Sequence, residues 1–270
     1  MPRIGFLGFG NMAQAIAGGI IANGFIDEND VYAYDPVISQ IEKFNKNIVL
    51  SESALQLVQE VKYIFLCVKP QAIEDALVPA AKALLQDQII ISIAAGVSVE
   101  RIRNITDGAC RVVRVMPNAP LLLGSGCTAI AKPQDIDNKD YLYIKNVFGC
   151  VGKVYDIPED KFNEIIPVNG SSPAFIYLFA KIIAESAAKH GLDYKTSIEM
   201  FSDTLIGSAR MLKETDHNAD ELIDMVSSKG GTTVAALAAM EESGFTDSIK
   251  SGFDSCVSRA YELGNLGSKQ

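Results

Sequence analysis

The sequence predicts an α/β protein: a parallel, doubly wound sheet covered by helices on both faces, followed by an all-α domain. Three observations carry this. Short apolar runs alternate with helix-like segments from Arg3 to about Asp156. Runs such as Tyr63-Ile64-Phe65-Leu66-Cys67-Val68 and Gln88-Ile89-Ile90-Ile91-Ser92-Ile93 are continuously hydrophobic, as strands buried on both faces are. From about Pro158 the strand-like runs stop and apolar residues recur at helical spacing. The expected domains are therefore 1–158 and 159–270, and 270 residues suffice for two modest cores.

The first element is the strand Arg3-Ile4-Gly5-Phe6-Leu7, and Gly8-Phe9-Gly10-Asn11-Met12-Ala13 follows it directly. This is the G-x-G-x-x-A form of the dinucleotide fingerprint of a Rossmann domain. Gly8 allows the tight turn, Gly10 lets backbone N–H groups approach a pyrophosphate, and Ala13 lets the helix pack close to the strand. The phosphates would sit at the helix start, where unpaired N–H groups favour negative charge. That helix runs from Met12 to Asn23 and is closed by Gly24. A second strand, Val31 to Tyr34, ends on Asp35, where a ribose 2′-hydroxyl needs an acceptor. A tight turn in an unrelated α/β protein is the plainer alternative.

Further along, Ile48 to Leu50 reads as a third strand and Ser53 to Glu60 as a helix. The run from Tyr63 ends at Lys69-Pro70, with a helix expected from Ile73 to Leu85. The run from Gln88 ends at Ala94-Ala95-Gly96, and Ser98 is placed to cap a helix through Ile105. Arg111 to Met116 is another strand, and Pro117-Asn118-Ala119-Pro120 forbids an immediate helix. Gly126 to Ala131 and Lys153 to Asp156 extend the sheet, flanking a helix from Ile136 to Phe148. Ligands of such sheets lie beyond the carboxyl ends of the strands. That rule marks Lys69-Pro70 and Ala94-Ala95-Gly96 as walls of a cofactor crevice, although both also suit simple connections.

Composition narrows the function. A net charge of −9 opposes general affinity for nucleic acid or anionic membrane. No run is long enough to span a bilayer and no signal-like segment opens the chain, so a cytoplasmic location is expected. Five scattered cysteines and two histidines suit neither a disulfide framework nor a zinc site, and Cys67 reads as packing inside its strand.

In the helical half, Phe175, Leu178, Phe179, Ile182 and Ile183 share one face, and Ala174, Ile176, Ala180, Ala184, Ala187 and Ala188 make that helix apolar nearly all round. Burying it on every side calls for a second subunit as well as the first domain. A second helical stripe is Ile198, Phe201, Leu205, Ala209 and Leu212. Ser227-Ser228-Lys229-Gly230-Gly231-Thr232-Thr233 precedes a helix from Thr233 to Ser243. Paired glycines before hydroxyl residues can form a nest of N–H donors for a carboxylate. A plain turn with Thr as helix cap explains the same spacing.

Along its whole length the chain resembles the pyrroline-5-carboxylate reductase family. The resemblance runs through Ile4 to Ala13, Val68-Lys69-Pro70-Gln71, Ser92 to Val97, Met116 to Pro120, Asn169-Gly170-Ser171-Ser172-Pro173-Ala174-Phe175 and Gly230 to Thr233. The last two motifs, in this order and separation, are the more specific. It implies a Rossmann domain, a helical dimerisation domain, an active site at the dimer interface, and hydride transfer from NAD(P)H to the C=N carbon of 1-pyrroline-5-carboxylate, giving L-proline. Carried over by motif, Thr233 faces the ring nitrogen as the catalytic residue. Thr232 and Gly231 take the carboxylate, with Ser228, Asp216 and Ala95 as further substrate contacts. Cofactor contacts map to Leu7, Gly8, Phe9, Gly10, Asn11, Met12, Asp35, Cys67, Val68, Lys69, Pro70, Ile93, Ala94 and Ala95. A homodimer, or a higher oligomer of dimers, follows from the same likeness.

Two positions depart from the family pattern: Lys229 replaces a usual Pro, and Asn169 a usual Ser. The family often uses NADPH, but Asp35 opposes a 2′-phosphate and no Arg follows closely, so NADH is expected to be tolerated or preferred. Three other functions stay open at this point: a reductase of another cyclic imine carboxylate, a 3-hydroxyacid dehydrogenase-like enzyme, and a non-catalytic nucleotide-binding protein. The dehydrogenases use a lysine about four residues beyond a glycine motif opening their second domain, whereas here the first lysine after Gly170 is Lys181.

Overall fold

The computed structural model describes residues 2–44 and 46–265. Among them, eight strands form one sheet: β1 (Ile4–Leu7), β2 (Val31–Tyr34), β3 (Val49–Leu50), β4 (Tyr63–Leu66), β5 (Ile89–Ser92), β6 (Arg111–Met116), β7 (Gly126–Ile130) and β8 (Gly152–Asp156). Their order is β3-β2-β1-β4-β5-β6-β7-β8. The first six are parallel, and the order reverses beside β1, which pairs with both β2 and β4. β7 pairs antiparallel with β6, and β8 parallel with β7. The sheet is thus mixed rather than parallel throughout. The link from Met116 to Gly126, a 3₁₀ turn at Ala119–Leu123 closed by left-handed Gly124, is too short for a parallel crossover and returns the chain directly.

Between the strands lie α1 (Asn11–Ala22), α2 (Ser39–Glu42), α3 (Ala54–Glu60), α4 (Ile73–Leu77), α5 (Val99–Ile105) and α6 (Asn138–Gly149). One buried cluster joins Phe6, Phe65, Ile91 and Val113 to Ile16 and Ile20 of α1 and Ile144 and Phe148 of α6. On the opposite face Leu7, Ile64, Leu66 and Ile90 pack on Leu57 of α3, Ile73 and Leu77 of α4 and Ile102 of α5. Apolar burial on both faces is what made the strand sequences continuously hydrophobic. Side-chain caps start the helices where short polar residues stand: Ser53, Ser98 and Asp137 accept from the N–H of Gln56, Arg101 and Asp140. The helix expected from Ile73 to Leu85 stops at Leu77, because Pro79 has no N–H to donate and its ring crowds the Asp75 carbonyl.

By compactness, the residues up to Pro173 and those from Cys256 onward make one unit, and Ala174–Ser255 a second. The expected limits 1–158 and 159–270 mark the change from strands to helices along the chain, whereas these units follow packing. Phe162 joins Ala129 and Ala131 in a small core, with Met116, Ile157 and Ile165 against it, which keeps the segment after residue 158 with the sheet. Within the same unit the chain's last helix approaches the turn after β5. A Cβ on Gly96, at φ 77°, would lie 2.5 Å from the Ala260 carbonyl oxygen, and one on Gly264 would lie 2.6 Å from the Gly96 oxygen.

The second unit is helical, built on α7 (Ser172–Lys189), α8 (Tyr194–Glu214), α9 (Ala219–Met225), α10 (Thr232–Glu242) and α11 (Phe245–Asn265). Phe179 meets Phe201 edge-on at 5.4 Å and Phe245 at 6.2 Å. Burial of α7 on every side, as expected above, is not achieved by one chain. Ala180 and Ala184 are buried, but Tyr177 is 61% exposed and Leu178 56%. A groove of about 520 Å³ lined by Phe175, Leu178, Phe179, Ile182, Phe245 and Ile249 runs beside it. No helix among the described residues is long and apolar enough to cross a membrane.

Candidate functional site

The glycine loop joins β1 to α1 at the point where the strand order reverses. Gly8 has φ 84°, a left-handed value open to glycine, and its N–H donates to the Tyr34 carbonyl at 2.9 Å. A Cβ on Gly8 would come within 2.7 Å of Val68 and 3.0 Å of the Cys67 backbone, so the loop lies directly against the end of β4. Gly10 is the N-cap of α1, extended, without a side-chain cap, and a Cβ there would meet nothing within 4 Å. The first intrahelical bond runs from Gln14 N–H to the Gly10 carbonyl, so the N–H groups of Asn11, Met12 and Ala13 have no acceptor within the helix. No acidic residue occupies that first turn. Three N–H groups, the positive end of a twelve-residue helix and open space above Gly10 make a cradle for a diphosphate. At the other end Gly24 and Phe25 donate back to Ile21 and Ile20, closing the helix in a Schellman motif.

Asp35, at the end of β2, holds the loop. One carboxylate oxygen accepts from Phe9 N–H at 2.7 Å and the other from Val37 N–H at 2.8 Å. The Phe9 ring is fully buried, edge-on to Phe6 at 5.7 Å and to Phe44 at 5.2 Å. Leu7 is buried too. The side chains of Leu7 and Phe9, both expected at the cofactor, therefore shape the loop from beneath. Gln14 was missed by sequence reasoning: its Nε2 donates to the carbonyls of Phe9 and Gln40, both at 2.9 Å. The available signal was a lone polar side chain between Met12 and Ala22.

Cys67, Val68 and Pro70 are half-buried at the end of β4, and Lys69 is exposed. Cys67 N–H donates to the Leu7 carbonyl at 2.8 Å, and burial pushes its thiol well above the ordinary value, in keeping with packing. Ile93 continues from β5, its N–H donating to the Leu66 carbonyl at 3.3 Å. Ala94 is buried and Ala95 half-buried in the turn that follows. The expected cofactor residues thus gather at the carboxyl ends of β1, β2, β4 and β5.

The residues expected at the substrate belong to the second unit, apart from Ala95. Gly231 N–H donates to the Ser228 carbonyl at 2.9 Å across Lys229-Gly230, and Gly230 takes φ 73°, as the third residue of a type II turn must. A Cβ on Gly231 would lie 2.8 Å from the Ser228 carbonyl oxygen and 2.9 Å from its Oγ. Gly231, not a threonine, is the N-cap of α10, so the helix starts one residue earlier than expected, with Thr232 and Thr233 in its first turn. The tight Ser228–Gly231 turn delivers Gly231 already extended, which suits a cap. Thr233 is half-buried, while Ser228, Thr232 and Asp216 are exposed, Asp216 in the α8–α9 connection.

Comparison with known proteins settles the family. A family model described as pyrroline-5-carboxylate reductase dimerisation matches residues 159–263, and one described as NADP oxidoreductase coenzyme F420-dependent matches residues 3–96. A pyrroline-5-carboxylate reductase of Haemophilus influenzae is 32% identical over 266 residues, covering 97% of this chain and 98% of its own. The chain belongs to the pyrroline-5-carboxylate reductase family. The Escherichia coli family member is 31% identical over 263 residues, again covering 97% of this chain and 98% of its own. A crystal structure of the Plasmodium falciparum reductase with NADP bound superposes with a TM-score of 0.90 at 25% identity, covering 97% of this chain and 98% of that one. The reductase of Coxiella burnetii gives 0.86 at 29% identity with the same coverage.

Proposed function

We propose that this member of the pyrroline-5-carboxylate reductase family transfers a hydride from C4 of a reduced nicotinamide to the C=N carbon of 1-pyrroline-5-carboxylate, giving L-proline. The observation that carries this is the uncapped start of α1 at Gly10, open to a diphosphate and flanked by Asp35, in a chain whose near-full length matches curated reductases of that name. The N–H groups of Asn11 to Ala13 would hold the diphosphate of the dinucleotide. Cys67 to Pro70 and Ile93 to Ala95, at the carboxyl ends of β4 and β5, would then line the nicotinamide.

The substrate is an imine, electrophilic at carbon and more so when its nitrogen is protonated. Little acid–base chemistry is then required, and orientation alone is worth about 7–11 kcal/mol of barrier. Thr233 faces the ring nitrogen and relays a proton when the imine arrives neutral. Thr232, Gly231 and Ser228 hold the carboxylate, with Lys229 in the same turn and Asp216 as a further contact from the α8–α9 connection. Hydride and proton together complete the C–H and N–H bonds of proline as the nicotinamide is oxidised.

Asp35 favours a free ribose 2′-hydroxyl, so NADH is tolerated or preferred beside NADPH. The working assembly is a homodimer in which the exposed side chains of α7 are covered by a second copy. Five scattered cysteines without C-x-x-C spacing suit a reducing cytoplasm. The test is oxidation of NADH and of NADPH with 1-pyrroline-5-carboxylate beside its six-membered homologue. Turnover of the six-membered ring alone would move the assignment to another cyclic imine.

A further inference from the structure

Asn169 is 6% exposed and sits just before α7, in the same compact unit as the sheet. Its side-chain Nδ2 donates to the Met116 carbonyl at 2.6 Å, and its backbone carbonyl accepts from Asn118 Nδ2 at 3.4 Å. Asn118 in turn accepts from Cys127 N–H at 2.8 Å. The neighbouring Gly170 lies against the Met116 side chain, where a Cβ would come within 2.4 Å of its terminal methyl. Residues 116–118 are therefore gripped by the carboxamide of Asn169, by its backbone and by the close approach of Gly170. Asn169 Oδ1 is buried with no hydrogen-bond partner among the described residues, a cost in stability that a smaller side chain would avoid.

The gripped turn lies on the nicotinamide half of the sheet. Arg114 is paired with Ser92, so Met116, two residues further on, reaches as far along the sheet as Ala94, a wall of the ring site in the function given above. A sub-ångström change in this wall alters the approach of C4 to the imine carbon, and a misplacement of about 1 Å costs on the order of a hundredfold in rate.

We propose that Asn169 is a positioning residue for hydride transfer: by holding the Met116 carbonyl it sets the wall against which the nicotinamide ring is oriented. The inference rests on the cofactor placement of the preceding section. The test uses the full-length protein with the nicotinamide it prefers, bearing deuterium at the transferred position of C4. Asn169→Ala is expected to bind the cofactor within about twofold of wild type and to lose about tenfold or more in kcat. Its primary isotope effect should rise as the chemical step becomes limiting, while its melting temperature changes little, because removal of the unpaired Oδ1 offsets the loss of the bond to Met116. Asn169→Asp, which offers no donor to Met116, should lose as much, and Asn169→Ser, which keeps one, should recover part of the loss. Wild-type kcat and isotope effect in Asn169→Ala would overturn the proposal. So would a parallel fall in cofactor affinity, kcat and melting temperature, which marks general loosening. A wild-type protein that binds the cofactor yet reduces no 1-pyrroline-5-carboxylate overturns the functional assignment and this inference with it, whereas an active wild type with an unaltered alanine variant overturns this inference alone.

Discussion

The position that separates the two cofactors is Asp35, and its variants should divide a charge effect from a structural one. Each carboxylate oxygen already takes one backbone N–H, from Phe9 at 2.7 Å and from Val37 at 2.8 Å. Each keeps a further lone pair for a ribose hydroxyl. A 2′-phosphate in the same place brings like charges together, costing about 1 kcal/mol per unit pair at 4 Å in water and more where water is partly excluded. Asp35 is half-buried, so a difference of about 1–2 kcal/mol is expected, or roughly 5- to 30-fold in kcat/KM between NADH and NADPH. Asparagine keeps one acceptor and removes the charge. Asp35→Asn should therefore shift the NADPH to NADH ratio of kcat/KM upward by about tenfold. Asp35→Ala removes both acceptors, each of them worth about 1.5–3 kcal/mol as a charge-assisted bond, so it should loosen the glycine loop and weaken both cofactors together. Paired initial rates, with cofactor dissociation constants from fluorescence, separate the outcomes. If Asp35→Asn leaves the ratio unchanged, the carboxylate does not face the 2′ position and the reasoning fails.

Thr233→Ala should fold normally, with an unchanged melting temperature, and lose much of kcat/KM for the imine; wild-type turnover would remove Thr233 from its role. Lys229→Ala, at an exposed site, should raise the substrate KM by about 1.5- to 5-fold with kcat unchanged, the scale of an exposed ion pair. Asp140, nearly fully buried, accepts from Lys62 at 2.6 Å, Tyr63 at 2.7 Å and Arg111 at 3.2 Å. Burial raises its carboxyl, but the bonds from Lys62 and Tyr63 outweigh that and leave it below the ordinary value. Its stabilisation is therefore complete above the unfolded carboxylate range and is lost as pH falls through the lower folded value. Asp140→Asn should cost about 3 kcal/mol at neutral pH, since Lys62 and Arg111 keep some access to water, and denaturant melts should show the gap to wild type closing in acid. Gly96→Ala should cost at least about 1–2 kcal/mol for its left-handed backbone alone, before the 2.5 Å approach to Ala260 is counted, and thermal melts will report it.

The glycine loop and the acid that follows the second strand were legible in the sequence because their signals are local. Gly8, Gly10 and Ala13 are set by a turn, a close approach and a helix contact within six residues, and Asp35 by the end of the next strand. The caps at Ser53 and Ser98 were equally local. The clasp between Asn169 and Met116 was not legible, since it joins residues 53 apart and its only mark was a departure from a family pattern. The hold of Asp35 on the N–H groups of Phe9 and Val37 was hidden too, because an acid that binds backbone N–H groups looks the same in sequence as one that waits for ribose. The truncated helix at Leu77 was legible in Pro79 and overlooked in favour of apolar spacing. The need of α7 for more cover than one chain gives was legible in its apolar circumference, and Tyr177 and Leu178 are exposed as that reading expects.

The sheet-bearing unit is assembled from both ends of the chain, with Ala260 and Gly264 closing on the turn at Gly96. A ribosome must therefore travel about ninety residues beyond Pro173 before that turn receives its support, on the order of 5–20 s at ordinary elongation speeds. During this interval the nascent sheet is complete in strands, while the turn at Gly96 still lacks the helix that packs on it. A fusion that delays release of the final helix should lengthen that interval without altering a single contact of the mature enzyme.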